Sequence, residues 1–187
     1  MTSPASLGDR ERLRLFVAFL LPETAVRALV RWQRDQLGAP EGARIVPEGN
    51  LHVTVAFLGS RPAGELQPIA GALRAAAEDA APPVLTAARY RETRSVGMLV
   101  CDDEQGRASR IAEDVHRRLQ QLGVYQPEKR PWLPHLTVVR FRDRPRLRPP
   151  IPDLGPLTMS GSAVMHSVLR PSGAQYEVLE SVPLGGG

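Results

Sequence analysis

Hydrophobic periodicity divides the chain into alternating strands and helices. Arg14–Leu21 is a run of β-forming apolar residues stopped by Pro22, which predicts a buried strand. Pro22 and Glu23 suit a first helical turn, and Val26, Leu29, Val30 and Leu37 keep helical spacing as far as Gly38. A short strand is expected at Ala43–Val46, before a turn at Pro47-Glu48-Gly49-Asn50. Leu51–Leu58 alternates until Gly59 and reads as a strand. Ala63–Ala80 sets Leu66, Ile69, Leu73 and Ala77 on one face of a second helix, and strands follow at Val84–Tyr90 and Val96–Cys101.

The second half repeats the plan. Glu104–Leu122 carries Ile111, Val115, Leu119 and Leu122 at helical spacing and stops at Gly123. The loop Pro127–Pro134 leads into a strand at His135–Phe141, and Arg142–Pro152 reads as an exposed connection. The last strands are expected at about Leu157–Leu169 and Gln175–Leu184, joined by a turn at Pro171-Ser172-Gly173. Residues 1–10 and Gly185-Gly186-Gly187 read as loose ends. The pattern predicts an α+β protein, a single domain over 11–184 made of two related lobes at about 11–92 and 93–184.

Composition narrows this. A chain of 187 residues, 42% of them hydrophobic, can bury a core without a metal or disulfide to staple it. The one cysteine, Cys101, excludes an intramolecular disulfide framework or a Cys-rich zinc site. The longest apolar run, Leu15–Leu21, is far short of a membrane span. The opening MTSPASLGDRERLRL has no basic segment followed by an apolar one, so a soluble, cytoplasmic protein is expected.

The net charge is +4, and every basic residue except Lys129 is arginine. Seven basic residues fall between Lys129 and Arg148, with Asp143 the sole acid among them. Such a stripe suits a polyanion such as RNA, or else a solvated loop.

The chemistry is concentrated in a repeat. Of four histidines, His52 and His135 share one context: Leu51-His52-Val53-Thr54-Val55 and Pro134-His135-Leu136-Thr137-Val138. On a strand, alternate side chains face the same way about 6.6 Å apart, so each histidine points with its threonine. Leu51, Val53, Val55 and Phe57 then take the opposite face, as do Leu136 and Val138. If the lobes face each other, two imidazoles and two hydroxyls meet. One neutral imidazole can deprotonate a nucleophile while a protonated one gives its proton to a leaving oxygen. The hydroxyls can donate to phosphoryl oxygens, so the set suits phosphoryl chemistry without a metal.

This pair of H-x-T motifs, 83 residues apart, resembles the two-histidine phosphoesterase superfamily, and within it the RNA 2′,3′-cyclic phosphodiesterases, also called 2′-5′ RNA ligases. Arg14-Leu15-Phe16-Val17-Ala18 with Leu21-Pro22 is similar to that family's opening strand, and Ser167–Leu179 to its closing hairpin. The resemblance implies two pseudo-symmetric lobes, each an antiparallel sheet with helices outside, around a central cleft. It implies hydrolysis of a 2′,3′-cyclic phosphate at an RNA end to a 2′-phosphate, without metal or other cofactor. His52 and His135 would be catalytic, with Thr54 and Thr137 holding the phosphate. It further implies that His52 protonates the leaving 3′ oxygen while His135 activates water, and that ligation runs the same groups in reverse.

Other residues are weighed more simply. Arg140 follows the second motif where the family has an arginine, but strict alternation turns it away from His135. Trp132 and Phe16 can stack a base or simply pack. His116 and His166 read as structural, and Asp102-Asp103-Glu104 as a helix start. Two rivals stand beside the RNA-end reading: a superfamily enzyme acting on a small cyclic nucleotide or ADP-ribose cyclic phosphate, and a non-catalytic RNA-binding module. No obligate protein partner is expected, and a monomer is the default.

Overall fold

Nine strands join in one curled antiparallel sheet in the computed structural model, which describes residues 11–38, 41–78, 80–171 and 173–185. The expected tail 1–10, Ser172 of the expected turn, and Gly186-Gly187 lie outside the described residues. The strands are β1 (Arg12–Leu20), β2 (Ala43–Ile45), β3 (Val53–Pro62), β4 (Val84–Glu92), β5 (Val96–Asp102), β6 (His135–Phe141), β7 (Leu157–Thr158), β8 (Gly161–Arg170) and β9 (Gly173–Pro183). Their order is β7-β4-β5-β6-β3-β1-β8-β9, with β2 on β6.

The sheet has a narrow waist. β3 and β6 share one pairing, Val53 with Leu136, whereas every other neighbouring pair is joined by two or more. One half-sheet is therefore β3-β1-β8-β9, and the other is β7-β4-β5-β6 with β2. A division at about residue 92 is not the division of the sheet. The C-terminal hairpin β8–β9 closes onto β1, and β2 crosses to β6. The strand expected over Leu157–Leu169 splits for the same reason. β7 pairs with β4, then Met159 N–H bonds Pro83 and Ser160 N–H bonds Leu20, which carries the chain across to β1.

Three helices complete the described fold: α1 (Glu23–Trp32), α2 (Leu66–Ala77) and α3 (Arg107–Gln121). α1 does not run on as α-helix to Leu37 but widens into a π-turn at Gln33–Leu37, which buries Gln33. α3 begins later than Glu104, because Gly106 adopts a left-handed φ of 63°. The Asp103 carboxylate then caps it, accepting from the Ser109 amide and hydroxyl, both at 2.8 Å. Ile69 and Leu73 of α2, and Ile111, Val115 and Leu119 of α3, join Leu15, Val17 and Phe19 of β1 in the main core. The other face of β1 packs separately: Phe16 and Ala18 with Ala163 and Met165 of β8. That second cluster lies beneath the cleft.

Candidate active site

The Val53–Leu136 pairing places a histidine one residue before each member of the bridge. Antiparallel register about this pair sets His52 against Thr137 and Thr54 against His135. All four line one cleft of about 650 Å³.

Both rings are held the same way. Nδ1–H of His52 donates to the Asn50 carbonyl at 2.8 Å, and Nδ1–H of His135 donates to the Leu133 carbonyl at 2.8 Å. A carbonyl only accepts, so the neutral ring in each case carries its proton on Nδ1 and leaves Nε2 unprotonated, as an acceptor. His52 Nε2 accepts from the Thr54 hydroxyl at 3.0 Å. The Asn50 side chain donates to the Ala174 carbonyl at 2.7 Å, which ties the β8–β9 hairpin to the segment holding His52.

The two strands match beyond the histidines. From Leu51 to Leu58 and from Pro134 to Phe141 the succession of buried and more exposed positions is identical. The third residue after each histidine is an extra, bulged one. Val55 lies unpaired between the pairings Ala18–Thr54 and Val17–Ala56, and Val138 between Met98–Thr137 and Gly97–Val139. A bulge reverses the phase of alternation. The fifth residue after each histidine, Phe57 in β3 and Arg140 in β6, therefore returns to the cleft. This corrects both expectations drawn from strict alternation: Arg140 does not face away from His135, and Phe57 does not pack against the helices but is 64% exposed. Gly97 is required beside the second bulge, because a Cβ there would collide with Val139 and with the Tyr90 hydroxyl.

The aromatic candidates separate. Phe16 lines the cleft but is 2% exposed, its ring 5.0 Å from that of His52, so it packs against the imidazole and is not free to stack a base. Trp132 lies off the cleft: its indole N–H donates to the Thr54 carbonyl at 3.0 Å and its ring meets Phe19 edge-on. Tyr176 of β9, which the sequence reading did not single out, meets both Phe16 and His52 edge-on.

Burial among these rings lowers the His52 pKa from 6.5 to about 4, and the charges of Arg140 and His135 push it the same way against the Asn50 carbonyl. His52 is thus neutral at pH 7 in the free cleft.

The basic stripe does not act as a unit. Of Lys129–Arg148, only Arg140 lines the cleft among the stripe's basic residues. Glu92, its side chain 2% exposed, accepts from the Arg144 guanidinium and from the amides of Arg146 and Leu147, fastening that loop elsewhere. Instead Arg14 and Arg44, from β1 and β2, join Arg140, and among the described residues no carboxylate lines the cleft. The signal that could have found Arg14 is its place beside Phe16 in the opening strand; Arg44 carries none.

The chain is also similar to known proteins. The family model described as LigT like Phosphoesterase matches residues 20–93. The RNA 2′,3′-cyclic phosphodiesterase of Thermus thermophilus is 31% identical over 186 residues, covering 93% of this chain and 91% of its own length. That of Geobacillus stearothermophilus is 28% identical over 134 residues, 70% of this chain, and the match spans 42% of its length. Among solved structures, TT0787 of Thermus thermophilus is 30% identical, with a TM-score of 0.77 over 93% of this chain and 99% of that one.

Proposed function

The chain belongs to the LigT-like phosphoesterases of the two-histidine superfamily, and from that premise we propose that it hydrolyses 2′,3′-cyclic phosphate ends of RNA to 2′-phosphates without a metal. The observation that carries the reading is the waist of the sheet. One backbone bridge brings two imidazoles, each with Nδ1 committed to a backbone carbonyl and Nε2 left as the acceptor, together with two hydroxyls into a cleft lined by arginines.

In this reading the cyclic phosphate sits between the rings. The neutral ring takes a proton from water as its oxygen bonds to phosphorus. The P–O3′ bond breaks, and the other, protonated ring gives its proton to the departing 3′ oxygen. Thr54, Thr137 and Arg140 donate to the non-bridging oxygens, where negative charge gathers in the transition state. The family resemblance assigns the acid to His52 and the base to His135. Burial opposes protonation of His52 in the free cleft, so the acid's role depends on a proton taken up as the anionic phosphate binds. Near-twofold symmetry also permits exchange of roles, and with a 5′-hydroxyl in place of water the reverse reaction would form a 2′-5′ bond.

The exposed Phe57 ring offers a stacking face for the terminal base, beside the phosphate subsite. The test is hydrolysis of an oligoribonucleotide ending in a 2′,3′-cyclic phosphate, with EDTA present, by wild type, His52→Ala and His135→Ala. A 2′-phosphate product, a bell-shaped pH profile and loss of at least about a thousandfold in both variants are expected. Turnover surviving both substitutions overturns the assignment of the histidines. Turnover of only a mononucleotide or ADP-ribose cyclic phosphate overturns the RNA substrate.

A further inference from the structure

At each bulge the carbonyl of the extra residue accepts from a side chain that comes from a helical segment. His116 of α3 donates from Nε2 to the Val55 carbonyl at 2.7 Å. Gln33, in the turn that continues α1, donates from Nε2 to the Val138 carbonyl at 2.8 Å and to the Val46 carbonyl at 3.1 Å, while the Val138 carbonyl also accepts from the Val46 amide at 3.1 Å. Val55 and Val138 are each the third residue after a cleft histidine, so the two bonds are equivalents about the waist of the sheet. Nothing else about the donors is alike. Gln33 is fully buried, whereas His116 is half-buried and stacks on Tyr125 with ring centres 4.7 Å apart.

A buried carbonyl left without a donor is costly, which makes His116 the holder of Val55. Gln33 instead clamps Val138 to Val46, two residues already joined by the Val46 amide, and loss of either side chain loosens its bulge toward regular pairing. Relaxation by one residue would send Phe57 and Arg140 to the wrong face. The neighbouring groups fit this division. Gln33 also fixes Val46, which follows β2, and β2 sets Arg44 opposite Arg140. His116 lies behind β3, with Phe16 and Phe57 on the far side.

We propose that Gln33 and His116 are paired positioning residues, Gln33 holding the bulge that delivers Arg140 to the phosphate and His116 the bulge that delivers Phe57 to the rest of the ligand. The proposal rests on the reading of the cleft as a phosphate site, and its test is binding, not turnover, so that the two fail separately. Calorimetry would measure inorganic phosphate as the probe of the Arg140 side and adenosine 2′-phosphate as the probe of both. Gln33→Met, which keeps the volume and removes the donor, is expected to weaken phosphate by about tenfold and to be silent in an Arg140→Gln background. His116→Phe, which keeps the stack on Tyr125, is expected to leave inorganic phosphate within twofold and weaken adenosine 2′-phosphate by about fivefold. That loss should vanish in a Phe57→Ala background. His116→Gln retains a donor and should restore most of it.

A purely structural role predicts something else: each variant lowers the melting temperature, and its binding effects add to those of Arg140→Gln and Phe57→Ala alike. Additivity in all four double variants overturns the proposal. Should Gln33→Met fail to fold, the His116 arm decides by itself. If the couplings hold while no variant, nor wild type, turns over a cyclic phosphate, the positioning stands and the proposed reaction falls.

Discussion

Tyr176 meets the His52 imidazole edge-on with ring centres 5.3 Å apart, and among the described residues no ring does the same for His135. The burial pattern and the bulge after the two histidines are the same, so their difference comes largely from what lies beside the strands. On the His52 side β1 supplies Phe16 and the β8–β9 hairpin supplies Tyr176. On the His135 side the neighbours are β5 and the three-residue β2, which bring no aromatic ring to the imidazole. A symmetric frame is thereby made asymmetric in its chemistry.

The titration of His52 tests this directly. Its imidazole is expected to protonate near pH 4, because burial disfavours the cation. Tyr176→Ala opens the ring to water and should move the midpoint upward toward 6.5, while Tyr176→Phe should leave it in place. Imidazole carbon shifts read by NMR across the acid and neutral range would check this. A midpoint unmoved by Tyr176→Ala removes the hairpin as the cause.

The same shift has a consequence for stability. His52 is depressed in the folded protein, so between pH 6.5 and about 4 the unfolded chain binds a proton that the folded one refuses. Its contribution is therefore full above pH 6.5 and is lost as pH falls toward 4. Denaturation midpoints in urea should decline through this window, and His52→Gln should flatten that part of the curve. Equal slopes in the two proteins would refute it.

Phosphate binding should run the proton the other way. An anion between the rings favours the imidazolium, so at about pH 6 binding of inorganic phosphate is expected to take up a proton. Calorimetry in buffers of different ionisation heat would show an uptake approaching one proton, much reduced in His52→Gln. No uptake in wild type would mean that the phosphate does not reach His52.

Arg14 lines the cleft on β1 four residues from Ala18, which pairs with Thr54, a separation of about 13 Å along the strand. Arg14 thus enters the cleft toward one end, and it is expected to meet the next phosphate of a chain and not the one between the histidines. Arg14→Gln is expected to weaken an oligonucleotide by about fivefold and to reduce its log–log salt slope by about 0.7. A cyclic mononucleotide should be unaffected. Equal loss on both substrates would place Arg14 in the central phosphate site instead.

The parts of this site legible in the sequence were those that depend on strand periodicity alone. His52 with Thr54 and His135 with Thr137 share faces because nothing interrupts the alternation between them. Phe57 and Arg140 were illegible one turn of the pattern later. The residue inserted at each bulge is an ordinary valine, and the groups that hold it there, His116 and Gln33, lie 61 and 105 residues away. The lobes misled for a related reason. Strand positions were read well, but the pairing of β8 with β1 is a long-range choice that local pattern does not encode.

Trp132 and Phe57 make the last contrast, since both are aromatic residues close to Thr54 with opposite exposure to the cleft. Trp132 spends its indole N–H on the Thr54 carbonyl and its ring on Phe19. Trp132→Phe should thus cost about 1 kcal/mol of stability, the net value of one hydrogen bond, and leave the preference among terminal bases unchanged. Phe57 is 64% exposed, so Phe57→Ala should leave the melting temperature nearly unaltered. Loss of a stacked base costs about 1–3 kcal/mol, which corresponds to a KM raised roughly 5- to 150-fold. Purine-ended substrates, with the larger face, should lose more than pyrimidine-ended ones. Thermal unfolding together with KM for the four terminal bases separates the two residues. A change of base preference in Trp132→Phe, or its absence in Phe57→Ala, would reverse their roles.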